Sequence, residues 1–327
     1  MKKTASVAVL ALLLALSALF NSCASGGNAV MSGESEEALG HLNRGRGLLA
    51  ESEWDAAIEE FNSALAIDKK LAGGYFYRGL SYYNKGDNDK AIADYTQAIR
   101  LKPDYAEAYN NRGFAYWYNG RHNRAIADVT RAIRLEPDNA SAYKNRGFAY
   151  EELSDYDRAI ADLTQAIRLD PVDYLTYNGR GWAFYNKGNY DMAIEDYTQS
   201  IRLNPNYALA YNNRGVVYDE MGDYDRAITD YTQAIRLDPT FTWAYCNRGW
   251  TYEKKGNYDQ AIADYDQALQ LDPYYAIAYN NRGWAYENKG DIEKAIADYE
   301  AALRIEPKHQ LARQNLNRAR QAQRQMQ

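Results

Sequence analysis

Pro103, Pro137, Pro171, Pro205, Pro239, Pro273 and Pro307 are the only prolines of the chain, and each follows the last by 34 residues. Proline lacks an amide hydrogen and its ring crowds the preceding turn, so it ends helices. A chain punctuated at so regular a pitch is built from copies of one unit, none of which can bury its apolar face alone. With Ala106 as first position and Asn139 as last, units start at Ala38, Ala72, Ala106, Ala140, Tyr174, Ala208, Thr242 and Ala276. The register runs over 38–309 without an insertion or deletion.

Within one unit, Ala106 to Asn119 has helical periodicity, Gly120 breaks it, and Asn123 to Glu136 is helical again until Pro137. Each unit is therefore a helical hairpin. Glycine holds the eighth position of every unit (Gly45 through Gly283) and alanine the twentieth (Ala57 through Ala295); alanine also holds the twenty-seventh, with Ser200 the exception. Aromatic rings stand at the fourth position (Tyr109, Tyr143, Tyr211), the eleventh (Tyr116, Phe184, Tyr218) and the twenty-fourth (Phe61, Tyr95, Tyr197). Large side chains facing small ones are what close helix packing requires.

These positions, with proline at the thirty-second, resemble the tetratricopeptide repeat. The resemblance implies an all-α fold, a right-handed superhelical solenoid of eight antiparallel helix pairs, with first helices lining a concave groove. The tail 310–327 reads as a C-terminal capping helix, with Leu311, Ala312, Leu316 and Ala319 on one stripe. Its arginines suit a helix C-terminus, a basic recognition helix being the alternative.

The hexapeptide AYNNRG, found at Ala108, Ala210 and Ala278, concentrates what is unusual here. At 100° per residue the fourth, seventh, eighth and eleventh positions share one face, the predicted core. The second, fifth, sixth, ninth, twelfth and thirteenth share the opposite face, the predicted groove. The seventh position is arginine in all eight units, where the family usually has leucine, and the twenty-third is acidic in all eight. A guanidinium on a core face must be paired. The expectation is an ion-pair ladder of Arg112, Asp128, Arg146, Asp162, Arg180, Asp196, Arg214, Asp230, Arg248, Asp264, Arg282 and Asp298, with Arg44, Arg78, Glu60 and Asp94 completing the series. The alternative is that the arginines reach solvent with only their stems packed.

The sixth position places Asn43, Asn111, Asn145, Asn213, Asn247 and Asn281 on the groove face, where an amide can bind a peptide backbone as another peptide group would. Such a series resembles the asparagine ladders with which the family holds extended peptides; inheritance from one duplicated unit accounts for it equally well. Trp182, Trp250, Trp284, Phe114 and Phe148 fall on the same face, with Trp117 and Trp243. Tryptophan directed to solvent characterises binding surfaces, although some of these rings must pack between neighbouring first helices. Acids (Glu151, Glu152, Asp219, Glu220, Glu253, Glu287) gather along the face and suit a ligand with basic groups. The family's clamp for C-terminal carboxylates is absent, since Phe148, Leu209 and Asn213 stand where its polar and cationic residues belong.

Ahead of the repeats, Lys2 and Lys3 precede an apolar run from Ala5 to Phe20, which reads as a signal peptide over 1–22. Phe20-Asn21-Ser22-Cys23 resembles a bacterial lipobox, implying lipidation at Cys23 and a flexible tether over 23–37. Ordinary cleavage after Ala24 is the alternative. The resulting expectation is an outer-membrane lipoprotein of a bacterial cell envelope, facing the periplasm or the surface.

A formal charge of −6 and the lack of a basic stripe along the repeats disfavour a nucleic-acid partner. His41, His122 and His309 lie in distant units, no two cysteines are close, and no phosphate-cradling glycine loop occurs, so no enzyme, metal or cofactor is expected. The function expected is a scaffold that binds an extended segment of a partner protein in its groove. Glycan or muropeptide binding and service as an accessory subunit of an envelope enzyme or assembly machine are the alternatives.

Overall fold

The computed structural model describes residues 33–326. The segment read as a signal, Cys23 and the tether up to Ser32 lie outside the described residues. Gly33 to Glu37, read as the end of that tether, belong to the first helix instead. Among the described residues every regular element is an α-helix.

The chain divides into two compact units, Met1–Pro171 and Val172–Gln327. The first holds α1 (Gly33–Ala50), α2 (Trp54–Ile67), α3 (Ala72–Asn84), α4 (Asn88–Leu101), α5 (Ala106–Tyr118), α6 (His122–Leu135), α7 (Ala140–Glu152) and α8 (Tyr156–Leu169). The second holds α9 (Tyr174–Asn186), α10 (Tyr190–Leu203), α11 (Ala208–Glu220), α12 (Tyr224–Leu237), α13 (Thr242–Lys254), α14 (Tyr258–Leu271), α15 (Ala276–Asn288), α16 (Ile292–Ile305) and α17 (Gln310–Met326). In each, consecutive helices pair as hairpins and successive hairpins stack, the pattern of a solenoid of helix pairs.

Local chemistry explains the hairpins. The fifteenth position of a repeat takes a left-handed backbone, supplied by glycine at Gly120 (φ 70°) and Gly222 (φ 80°). Ser52 (φ 63°) and Ser154 (φ 58°) adopt the same turn without that freedom. Several second helices then start on an aspartate, and the side chains of Asp87, Asp155, Asp223 and Asp291 each accept a backbone N–H of the first turn. Two residues after α6 ends at Leu135, Pro137 stops the helix.

The tight contact inside each hairpin is glycine at the eighth position against the ring or aliphatic group at the twenty-fourth. A Cβ on Gly215 would stand 2.8 Å from Tyr231 Cε1, and one on Gly113 would stand 2.6 Å from Val129 Cγ2. Tyr95, Tyr197, Tyr231, Tyr265 and Tyr299 are buried as a result, each ring contributing about 2–3 kcal/mol of apolar burial. The third and tenth positions (Ala108, Ala115, Ala210, Val217, Ala278, Ala285) are also fully buried. They pack against the neighbouring hairpin, and the wheel of one helix did not mark them as core. On α17 the buried residues are Ala312, Asn315, Leu316 and Ala319, packed under α16 in part, whereas Leu311 is exposed rather than part of the capping stripe.

Candidate functional site

Seven arginines of the seventh position form one repeated figure. In Arg78, Arg112, Arg146, Arg180, Arg214, Arg248 and Arg282, Nε and Nη2 donate to the two carboxylate oxygens of the aspartate 16 residues on, at 2.6–2.8 Å. Arg44 is exposed and makes the looser version, with Nε donating to Glu60 at 3.0 Å beside His41. Every pair lies within one repeat. The remaining nitrogen, Nη1, reaches back to the preceding repeat: to Asn62, Thr96, Thr130, Thr198, Thr232 and Asp266 at 2.6–3.1 Å. One guanidinium thus links three helices, which lysine could not do with its point charge.

The fourth-position tyrosines pack on the core as expected, Tyr75, Tyr109, Tyr143, Tyr245 and Tyr279 among them, and they also cover these guanidinium groups from Tyr75 to Tyr279, with ring centroids 5.4–5.9 Å from Cζ. Tyr116, Phe184 and Tyr218 cover Arg112, Arg180 and Arg214 from the eleventh position. These rings thus meet the cation on one side and apolar side chains elsewhere, and most are half-buried.

The asparagines are placed otherwise than expected. Asn145 donates to Asn110 at 3.0 Å, Asn213 to Asn178 at 3.2 Å, Asn247 to Asn212 at 3.0 Å and Asn315 to Asn280 at 2.9 Å. The sixth position of one repeat is therefore bonded to the fifth position of the repeat before it. Asn145 and Asn281 are buried, and Asn111, Asn213 and Asn247 are half-buried, with Asn43 exposed in the first repeat. Stacked first helices approach closely enough at this position for amides to meet, so these side chains join neighbouring repeats first. Asn281 lacks that partner because Cys246 stands at the fifth position before it, and its Nδ2 is buried without a hydrogen bond.

The aromatic residues divide in the same way. Tyr83, Phe114, Trp117 and Phe148 form a chain of ring contacts, with centroids 5.6, 5.3 and 6.4 Å apart. Phe148, expected in the groove, is 2% exposed, and Trp117 is buried beside it. Trp182 is half-buried, tilted against Tyr185 at 5.6 Å. Trp250 and Trp284 differ, at 36% and 38% exposure. Both belong to the second unit, on α13 and α15.

Around them lie the acids of the twelfth position. Asp219 accepts from Thr251 at 2.8 Å and pairs with Lys254, whose Nζ lies 5.7 Å from the Trp250 ring. Glu287 pairs with both Nε and Nη2 of Arg318 at 2.8 Å, and Arg318 Cζ lies 4.5 Å from the Trp284 ring. Glu253, between them in the series, is 8% exposed, and its Oε1 accepts no hydrogen bond. Burial pushes its carboxyl up to about 8, which the neighbouring Tyr265 hydroxyl offsets only in part. In the first unit, burial likewise pushes the Glu151 carboxyl well above its ordinary range.

Among the described residues no cluster of histidine, cysteine and carboxylate side chains has metal-binding geometry, and no helix is long and apolar enough to cross a membrane. Cys246 is buried and its thiol is pushed up to about 12 by burial, which leaves it unreactive at neutral pH.

Profiles of the TPR repeat match residues 45–86, 79–120 and 181–222, and profiles of the tetratricopeptide repeat match 112–180, 208–241, 242–275 and 276–309. The chain belongs to the tetratricopeptide repeat family. The last three matches begin at Ala208, Thr242 and Ala276, the register read from the prolines.

Solved structures agree on the fold. The APC/C hetero-tetramer Cut9-Hcn1 matches with a TM-score of 0.64 at 23% identity, over 88% of this chain and 57% of that one. A tetratricopeptide repeat protein from Parabacteroides merdae matches at 0.60 and 20% identity, over 76% of this chain and 98% of that one. Pseudomonas aeruginosa pilF matches at 0.57 and 19% identity, over 64% and 95%. No curated protein matches the chain. As a tetratricopeptide repeat array, the chain is a scaffold suited to protein–protein interaction.

Proposed function

We propose that this tetratricopeptide array holds an extended segment of a partner protein on the first helices of its second unit, while an N-terminal lipid on Cys23 keeps it at a bacterial cell envelope. The carrying observation is the exposure of Trp250 and Trp284 on a face whose other aromatic rings are stacked or half-buried. Two solvent-facing indoles with acids beside them form an anchor surface of the kind that dominates interface energetics. Lys2, Lys3, the apolar run to Phe20 and the small residues before Cys23 support export and lipidation.

The binding half is tested by titrating the full chain with pools of random dodecapeptides and, separately, with peptidoglycan fragments, following tryptophan fluorescence. Peptides should shift the emission and lose that effect in Trp250→Ala and Trp284→Ala. A response to peptidoglycan fragments alone would favour a glycan-binding groove and refute the peptide reading. For the anchor, a bacterial host fed labelled palmitate should label the wild type and not Cys23→Ser; equal labelling of both removes Cys23 from the account.

A further inference from the structure

The second unit repeats one arrangement twice and interrupts it once. At the twelfth position of a first helix stands an acid, and the next helix of the series supplies a cation that bonds the acid and covers a tryptophan. Asp219 receives Lys254, which lies over Trp250. Glu287 receives Arg318, which lies over Trp284. Glu253 is the intervening acid. The position from which Lys254 serves Asp219 is occupied in the next repeat by Asn288, whose Nδ2 donates to the Trp284 carbonyl at 2.9 Å. The position from which Arg318 serves Glu287 is occupied by Trp284 itself.

We infer that Glu253, buried on α13 with an unpartnered carboxylate oxygen, is the receptor for a basic side chain, arginine or lysine, of the partner segment. The guanidinium or ammonium would take at Glu253 the place that Lys254 and Arg318 take at the neighbouring acids. The rings of Trp250 and Trp284 already have Lys254 and Arg318 over them, so what is open to an incoming cation is the Glu253 carboxylate itself. The occupant is set by charge. Asp219, Glu220, Glu253 and Glu287 make this stretch acidic, and the cations in it, Lys254 and Arg318, are already committed to Asp219 and Glu287.

The environment of Glu253 adds a thermodynamic signature. The titratable groups against it are Cys246 on its own helix and Tyr265 on α14, and burial raises both so far that they stay neutral through the physiological range. Glu253 is thus the group there that changes charge near neutrality, and a cation beside it favours the ionised form. Binding a basic residue at pH 7 should release close to one proton.

The inference rests on the groove reading above, and the test separates the two. The probes are acetylated, amidated nonapeptides of alanine and serine with a single central arginine, lysine, citrulline or glutamate, titrated calorimetrically into the full chain in phosphate and in Tris at pH 7. Arginine and lysine peptides should bind at least tenfold more tightly than the citrulline peptide, with a buffer-dependent heat that reports proton release. Glu253→Gln, which keeps shape and folding, should abolish both the preference and the release. Asn288→Lys, which offers Glu253 a cation from within the chain as Lys254 does for Asp219, should abolish them as well. Equal affinity for arginine and citrulline peptides, or an unchanged preference in Glu253→Gln, overturns the cation receptor and leaves the groove standing. Absence of binding by any peptide overturns both.

Discussion

Replacing Arg214 by leucine, the residue the family usually has there, would isolate Asp230. The two side chains are 17% and 7% exposed and joined by two hydrogen bonds of 2.8 Å, and Arg214 Nη1 also holds Thr198 at 2.9 Å in the preceding repeat. Removing one partner of a buried pair costs about 3–5 kcal/mol, because the remaining charge keeps its desolvation penalty. Partial access of water on the arginine side places the expected loss at the lower end, about 3 kcal/mol. Changing Asp230 to alanine as well removes the stranded carboxylate, and the double variant should fall only about 1 kcal/mol below wild type. Asp230→Ala alone leaves Arg214 with Thr198 and solvent and should lose about 1 kcal/mol, so the coupling energy of the cycle, the two single losses less the double loss, is about 3 kcal/mol. Urea unfolding of the four proteins, followed by circular dichroism, measures it, and amide exchange over α11 and α12 shows whether the loss is local, as neighbour-to-neighbour stability in a solenoid requires. A single Arg214→Leu variant within 0.5 kcal/mol of wild type would mean that the guanidinium only rests its stem on the core, and the ladder would have no structural role.

Ser154 holds a left-handed backbone at a turn where six other repeats have glycine, so Ser154→Gly should stabilise the fold by about 0.5–1 kcal/mol in the same urea assay. Cys246→Asn restores an acceptor for the buried Nδ2 of Asn281 and should add about 0.5–1.5 kcal/mol, with the Asn281 amide protons becoming protected in NMR exchange. Burial raises Glu253 from its ordinary 4.5 to about 8, so the unfolded chain loses this proton first, and its contribution to stability falls as pH rises from 4.5 to 8 and is level above. Glu253→Gln lacks that slope, and its advantage over wild type should grow across the interval to as much as about 5 kcal/mol; parallel pH profiles of the two proteins would deny the buried carboxyl.

The helices, their ends and the repeat register were legible in the chain because each depends on local chemistry: proline at the end, glycine in the turn, small residues against large ones. The partner of each arginine was legible too, since an acid recurring at constant spacing can be met across a hairpin. What the wheel of a single helix could not supply was the neighbour. Asn145 and Phe148 lie on the face opposite the hairpin contact, and the preceding first helix, α5, meets them there. For the fourth-position tyrosines the periodicity placed the rings on the core and could not add that they also cover a guanidinium. Exposure of Trp250 and Trp284 depends on which residues the adjacent repeat supplies at equivalent positions, and that is a property of pairs of repeats.

Duplication makes that distinction useful for locating function. A residue repeated in every copy must satisfy what all copies share, which is stacking on a neighbour; the arginine figure does this work throughout, and the asparagine pairs do it where both residues are present. Individual behaviour has to come from positions where one copy departs from the rest. Two departures meet at one junction of the second unit: Cys246 stands where the repeats on either side have asparagine, and Glu253 is left buried without a cation, since Lys254 is the one lysine at the thirteenth position and the next repeat has Asn288 there. The Asn281 amide beside Cys246 and the Glu253 carboxyl each cost stability in the isolated chain, since an unpartnered buried polar group is expensive. A partner's cation would relieve the larger of those costs at Glu253, three residues after the exposed Trp250 on α13.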